Sequence, residues 1–236
     1  MFSIIIPAFN SEDSIEELVN EIVHNISKMN LDYEILIIDD ASKDSTWLKI
    51  GSLSKKNKKI KGFKFFKNYG QHHATLYGLK KSKGQTLITM DDDMQHSPKI
   101  IELLYNKYKD GNDLVYAKPT NKSRGFKRNV LNIIVKFILK IFLNIKYIKI
   151  ISSYRMFDRK IIKKFENLNT SNVNVDSLLC LNAEKINFIN YKEQPRKFGK
   201  STYTFKKLVI HSLNLIVSFH NNPMTPNEIK ETDQNE

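Results

Sequence analysis

Residues 86–98 read TLITMDDDMQHSP: a short apolar run, three consecutive carboxylates, then a serine and a proline. Thr86–Met90 has the composition and length of a strand, and Ser97-Pro98 places a cap residue before a proline at the first helical position. A strand that ends in polar residues and leads into a helix is the repeating unit of an α/β fold. The unit recurs on both sides. Upstream, Phe2–Ile6, Glu34–Ile38 and Ile60–Phe66 read as strands, while Ser14–Met29, Ser45–Lys56 and Gln71–Ser82 carry helical periodicity. Downstream, Pro98–Tyr108 continues as a helix and Asp113–Ala117 forms a fifth strand. Ser14 and Glu17 stand at capping-box spacing. This alternation over the first 117 residues predicts a mostly parallel sheet covered by helices. Ligands of such sheets bind at the carboxyl ends of the strands.

The chain has 236 residues, enough for one domain with a full core and too few for two ordinary ones. An apolar fraction of 41% and a charged fraction of 27% exclude, on average, both a disordered chain and an integral membrane protein. The opening MFSIII runs into a strand pattern without a leader, and the lone Cys180 has no disulfide partner. A cytoplasmic location is the expectation. Net charge is +13, and residues 118–164 hold 14 Lys and Arg against the single acid Asp158, so all the excess sits there. Within this segment Asn129–Asn144 carries Asn132, Lys136, Lys140 and Asn144 as a polar stripe of period four on an otherwise apolar helix. Its length and two central lysines argue against a span, so it reads as a helix lying on an anionic membrane surface or as a core helix with exposed lysines. A second amphipathic helix covers 205–220, and 223–236 reads as a disordered polar tail.

The chemistry concentrates at strand ends. In an extended segment Asp91 and Asp93 point the same way and can share a hard cation with a diphosphate, with Gln95 on the same side and Asp92 directed elsewhere. An acidic turn capping the next helix would also explain an isolated DxD. A second acidic pair, Asp39-Asp40, ends another strand of the same sheet and favours the metal reading.

In this order, SIIIPAFNSEDSIEEL, EILIIDDASKDSTW, NYGQHHATLYGLKKSKGQTLITMDDDMQHSP, SSYRMFDRK and PRKFGKSTYTFKKL resemble the family 2 glycosyltransferases. More narrowly they resemble the branch containing dolichyl-phosphate mannose synthase and the bacterial transferases that load sugars onto undecaprenyl phosphate. The resemblance covers residues 2–222 and implies a GT-A fold, a Rossmann-like nucleotide-diphospho-sugar transferase domain over 1–222. It implies that Pro7, Ala8 and Phe9 line a nucleobase pocket, with Asp39 or Asp40 bonding the base or ribose and Asp92 also on the donor side. Asp91, Asp93 and Gln95 match the family's metal triplet, for Mg²⁺ or Mn²⁺. Members often carry Glu where Ser11 stands, a ribose contact for which Glu12 is the substitute.

Arg124, Arg128, Arg155, Arg196 and Lys200 are the cations expected at the acceptor phosphate, with Arg128, Arg196 and Lys200 also acting in catalysis beside Asp91 and Asp93. A lipid-phosphate acceptor is already ionised and needs no general base. If the acceptor is a saccharide hydroxyl, Asp176 is the candidate base, although it equally suits the cap of a following helix. His72 and His73, being adjacent, receive no catalytic role. The partners implied are a nucleotide-sugar donor, a polyprenyl phosphate or glycan acceptor, an anionic inner membrane face, and a membrane subunit. A nucleic-acid partner is not expected, since aliphatics rather than stacking aromatics interleave the basic segment.

Overall fold

The computed structural model describes residues 1–120, 150–165, 174–194 and 229–231. Among these residues eight strands form one sheet in the order β7-β5-β6-β4-β1-β2-β3-β8. They are β1 Phe2–Ala8, β2 Tyr33–Asp39, β3 Ile60–Phe65, β4 Thr86–Thr89, β5 Leu114–Pro119, β6 Arg155–Asp158, β7 Ile186–Tyr191 and β8 Ile229–Glu231. The helices are α1 Ile15–Ser27, α2 Thr46–Lys56, α3 Gln71–Lys81, α4 Ile101–Lys109, α5 Arg159–Lys163 and α6 Val175–Asn182, with a 3-10 turn at Pro98–Ile100 before α4.

β1 and β2 are buried along their whole lengths, as parallel strands covered on both faces must be. Alternate residues feed two cores. Ile4, Ile6, Ile35 and Ile37 pack with Ile15, Leu18, Val19 and Ile22 of α1 and with Leu104 of α4. Ile5, Leu36 and Ile38 pack instead with Ala74 and Leu79 of α3 and with Val175 and Leu179 of α6. The period of two in the strands therefore divides the chain into three layers, helices on each side of the sheet.

β1 pairs in parallel with β2 and β4, β2 with β3, and β5 with β7. The expected parallel framework is present. β6 lies antiparallel between β4 and β5, and β8 antiparallel on β3. The insertion of β6 matters for chemistry, because its amino end, preceded by Ser153, comes to the edge where β4 ends. β8 falls in the stretch read as a disordered tail. The capping box at Ser14 is not formed: its hydroxyl donates to the Ser11 carbonyl oxygen at 3.3 Å and makes no cap bond. The helices expected at Asn129–Asn144 and 205–220 lie outside the described residues. Among the described residues no helix is long and apolar enough to cross a membrane.

Gly84, just before β4, packs directly on the first strand. A Cβ there would stand 2.7 Å from the Phe2 carbonyl carbon and the Ser3 nitrogen, both backbone atoms that cannot swing aside. Gly84→Ala is expected to cost about 1–3 kcal/mol, the usual range for overpacking. Urea unfolding at neutral pH checks it, and a change within 0.5 kcal/mol would mean that the strand ends separate easily.

Candidate active site

β1 to β4 run in one direction, so their carboxyl ends share an edge, and the expected donor residues stand on the loops that leave it. Three non-glycine residues in these loops, Asn10, Ala41 and Met94, have φ of 52°, 61° and 61°. That left-handed region costs roughly 1–3 kcal/mol each. Burial in the core holds Met94 there, whereas exposed Asn10 is held by hydrogen bonds, its N–H donating to the Ser42 hydroxyl oxygen and its side-chain oxygen accepting from the Lys43 N–H, both at 2.9 Å. The chain thus turns at Met94 rather than staying extended from Asp91 to Gln95. The expected alternation of side chains does not apply, because the turn and its hydrogen bonds, not strand geometry, set the carboxylate directions.

The Asp91 carboxylate is held on both oxygens. Gln71 at the start of α3 donates its side-chain N–H to Oδ1 at 2.5 Å. Ser153, brought in by β6, donates to Oδ2 at 2.6 Å, and the His96 ring nitrogen Nε2 lies 3.1 Å from the same oxygen. Burial alone would raise Asp91, but the hydrogen bond and charge of His96, with the Ser153 hydroxyl, outweigh it and hold the carboxyl below its ordinary range. Asp92 turns back to β1, accepting from the Phe9 N–H at 3.0 Å and from the Ser11 hydroxyl. Asp93 Oδ1 accepts from the Gln95 N–H at 3.1 Å.

Asp39 and Asp40 serve different ends. Asp40 accepts from the N–H groups of Tyr69 and Gly70, at 2.7 and 2.8 Å, and so shapes the loop before α3. Asp39 is fully buried and accepts from the Ser42 N–H at 2.9 Å. Among the described residues its other oxygen has no hydrogen-bond partner, and it lies 3.6 Å from Lys64 Nζ. Glu12 accepts from the Ser45 N–H at 2.9 Å, at the start of α2. Pro7 and Ala8 are buried in β1, whereas Phe9 is 37% exposed. Phe9 lines a cleft of about 680 Å³ together with Trp47, Phe66, Lys43, Lys64 and Lys67. The cleft sits beside Phe9, whose N–H is held by Asp92. Its volume and mixed aromatic and cationic lining suit a nucleoside.

Burial raises the Asp92 carboxyl to about 6, and burial does the same to Asp40. A folded-state value above the ordinary 3.8 means that Asp92 contributes its stability in full below pH ~4 and loses it as pH rises through ~6. Because Asp92 keeps some surface in solvent, about 1–2 kcal/mol is the expected size. Asp92→Asn removes the titration while its amide oxygen still accepts from Phe9. Stability of the variant minus that of wild type should rise between pH 4 and 6 and level off above, measured by urea unfolding. A flat difference would show that Asp92 titrates normally.

The donors fit a hard divalent ion by type. Among the described residues no three His, Cys, Asp or Glu side chains stand close enough to enclose one. Mg²⁺ commonly takes one or two carboxylates and completes its shell with substrate phosphates and water. Asp91 and Asp93 on one loop, with Gln95 beside them, suit a site completed in that way.

Arg155, expected at the acceptor, is 3% exposed and pairs with Asp176 in the first turn of α6. Arg124, Arg128, Arg196 and Lys200 lie outside the described residues. His72 and His73 open α3. Sequence reasoning passed over Gln71, His96, Ser153 and Tyr191. Gln71, His96 and Ser153 stand inside the motifs quoted above, but nothing in those motifs marks them as partners of Asp91.

The glycosyl transferase family 2 model matches residues 3–165. An uncharacterized glycosyltransferase of Synechocystis is 29% identical over 92% of this chain and 69% of its own length. A putative glycosyltransferase of Bacillus subtilis, CsbB, is 27% identical over 95% of this chain and 68% of its own. Among solved structures, glucosyl-3-phosphoglycerate synthase from Mycobacterium tuberculosis, in complex with Mn²⁺, UDP and glucosyl-3-phosphoglycerate, is similar with a TM-score of 0.65 at 18% identity, over 93% of this chain and 78% of that one. S. aureus TarS 1–349 in complex with UDP gives a TM-score of 0.57 at 21% identity, over 81% of this chain and 58% of that one. These likenesses show the GT-A fold that the three-layer sheet and its acidic strand ends describe. With a family match over more than half its length and a fold to agree, this chain belongs to glycosyl transferase family 2.

Proposed function

We propose that the enzyme transfers a sugar, with inversion, from a nucleotide-sugar donor to a polyprenyl phosphate at the cytoplasmic face of a membrane. The nucleoside occupies the cleft beside Phe9, and the diphosphate lies toward Asp91 and Asp93. An acceptor oxygen attacks the anomeric carbon, and the bond from that carbon to the diphosphate breaks with its electrons leaving on the nucleotide. Asp91, Asp93 and Gln95 would hold a Mg²⁺ or Mn²⁺, which when bound would supply Lewis-acid stabilisation of the leaving group. Support for a metal is indirect, in the Mn²⁺ complex of the glucosyl-3-phosphoglycerate synthase.

The observation that carries the choice of acceptor is the pairing of Asp176 with Arg155. A hydroxyl acceptor needs a base, and the carboxylate suited to that task is engaged by a buried guanidinium. A phosphate acceptor is already ionised near neutral pH and needs none. Arg124, Arg128, Arg196 and Lys200 are the cations assigned to the acceptor and donor phosphates. The basic segment 118–164 attracts an anionic membrane surface by about 1 kcal/mol per basic residue close to it, and a membrane subunit is a further proposed partner.

The test begins with thermal shifts for UDP-, GDP-, CDP- and dTDP-sugars, each with MnCl₂, since binding stabilises by mass action. The sugar donor found is then offered undecaprenyl phosphate in phosphatidylglycerol vesicles. Label in the organic phase, lost at high salt, is the expected result. Transfer that requires a glycan hydroxyl instead, and fails in Asp176→Asn with the fold retained, would establish the saccharide reading.

A further inference from the structure

We infer that Tyr191 and His96 form a positioning pair that sets the Asp91 carboxylate, and that through it the end of β7 is tied to the donor site. His96 is 5% exposed. Its Nδ1 lies 2.6 Å from the Tyr191 hydroxyl and its Nε2 3.1 Å from Asp91 Oδ2. A carboxylate only accepts, so Nε2 carries the proton toward Asp91. Nδ1 is hydrogen-bonded to the Tyr191 hydroxyl, which donates to a neutral ring and accepts from a protonated one, and in either state this contact fixes the ring plane. Tyr154 packs against both rings, with centroids 5.1 Å from His96 and 6.2 Å from Tyr191. This leaves the imidazole little room to rotate.

The pair joins β7, at one edge of the sheet, to the loop that follows β4, three strands away. Tyr191 is the last residue of β7, 95 positions from His96. A second link runs parallel to it, from the Gln194 N–H to the Gln95 carbonyl oxygen at 3.1 Å. Both arms of the 91–96 loop, its carboxylate and its backbone, are therefore referenced to residues 191–194. That segment leads directly into PRKFGKSTY, which carries Arg196 and Lys200. Displacing residues 191–194 must move the ring that orients Asp91. The inference rests on the donor-site reading of Asp91 given above.

Partners that orient a metal-binding or phosphate-facing carboxylate typically contribute about 10- to 100-fold in affinity or activity. Four variants separate positioning from packing: Tyr191→Phe, which removes one hydroxyl, His96→Gln, which keeps an N–H able to reach Asp91, His96→Leu, which does not, and Asp91→Asn. Nucleotide binding is read by thermal shift with UDP, GDP, CDP and dTDP, each with MnCl₂. Turnover is read as release of the nucleoside diphosphate from the matching sugar nucleotide. The expected result is a fall in kcat of about tenfold for Tyr191→Phe and about 100-fold for His96→Leu, with donor KM within about threefold. Partial rescue is expected in His96→Gln. In wild type a slowly exchanging imidazole N–H resonance from His96 should appear in NMR spectra and should shift in both Asp91→Asn and Tyr191→Phe.

Equal losses in His96→Gln and His96→Leu, or wild-type kcat in Tyr191→Phe and His96→Leu, overturn the positioning role while leaving a dead Asp91→Asn to uphold the donor site. Wild-type binding and turnover in Asp91→Asn, or no nucleotide bound by wild type, overturns the donor-site reading and the inference with it.

Discussion

Asp93→Ala is expected to abolish metal-assisted nucleotide binding and to lower the transfer rate by at least 10²–10³-fold, on the order of 3–4 kcal/mol of transition-state stabilisation. Asp93 stands at the turn after β4, half-buried at the carboxyl edge of the sheet, and its Oδ1 accepts a short-range bond from the Gln95 N–H. Removing a side chain so placed leaves both cores intact. The melting temperature should stay close to that of wild type. In the proposed reaction charge on the leaving diphosphate grows as the glycosidic bond breaks, so losing a ligand to the proposed cation would weaken the transition state more than the ground state. Calorimetry with MnCl₂ and the nucleotide identified in the donor screen is the measurement. Unchanged affinity and rate would remove Asp93 from the metal site.

Asp176→Leu should unfold the protein more readily than any other single change described above. The Arg155 side chain is 3% exposed, so the loss of its carboxylate partner strands a charge inside the sheet. Burial already lowers the Arg155 guanidinium from its ordinary value. Among the described residues Ser152 offers its carbonyl oxygen at 3.5 Å, and the Arg155 Nε has no hydrogen-bond partner. Breaking such a pair typically costs about 3–5 kcal/mol, whereas replacing both partners with apolar groups of similar volume is near neutral. Arg155→Met combined with Asp176→Leu is therefore expected to recover most of the stability, with the coupling read from the double-mutant cycle. A single Asp176→Leu variant within 1 kcal/mol of wild type would mean that solvent reaches the guanidinium.

Much of the framework was legible in the sequence because its signals are local. The strands and helices through Asp113–Ala117 follow from periods of two and 3.6 in neighbouring residues, and their observed limits differ by at most three positions. The placing of Asp91–Asp93 and Asp39-Asp40 on a common edge follows from the same pattern, since parallel strands joined by helices end on one side. Family membership was carried by motifs of a few residues each. What each carboxylate does was not legible. Asp40 and Asp92 read as donor contacts, yet the N–H groups of Tyr69, Gly70 and Phe9 take them, because loops 29 to 83 residues away arrive within hydrogen-bond reach.

β6 shows the same division at the level of topology. Its four residues, RMFD, carry no period that announces an antiparallel strand between β4 and β5. That register decides which groups meet: Ser153 and Asp91 across 62 positions, and Arg155 with Asp176 across 21. Local sequence determined the α/β class, the edge that carries the site and the residue types present there. The tertiary structure alone decided the partners of each group, because a hydrogen bond between distant residues depends on how whole strands pair and on which buried polar atoms would otherwise go unsatisfied.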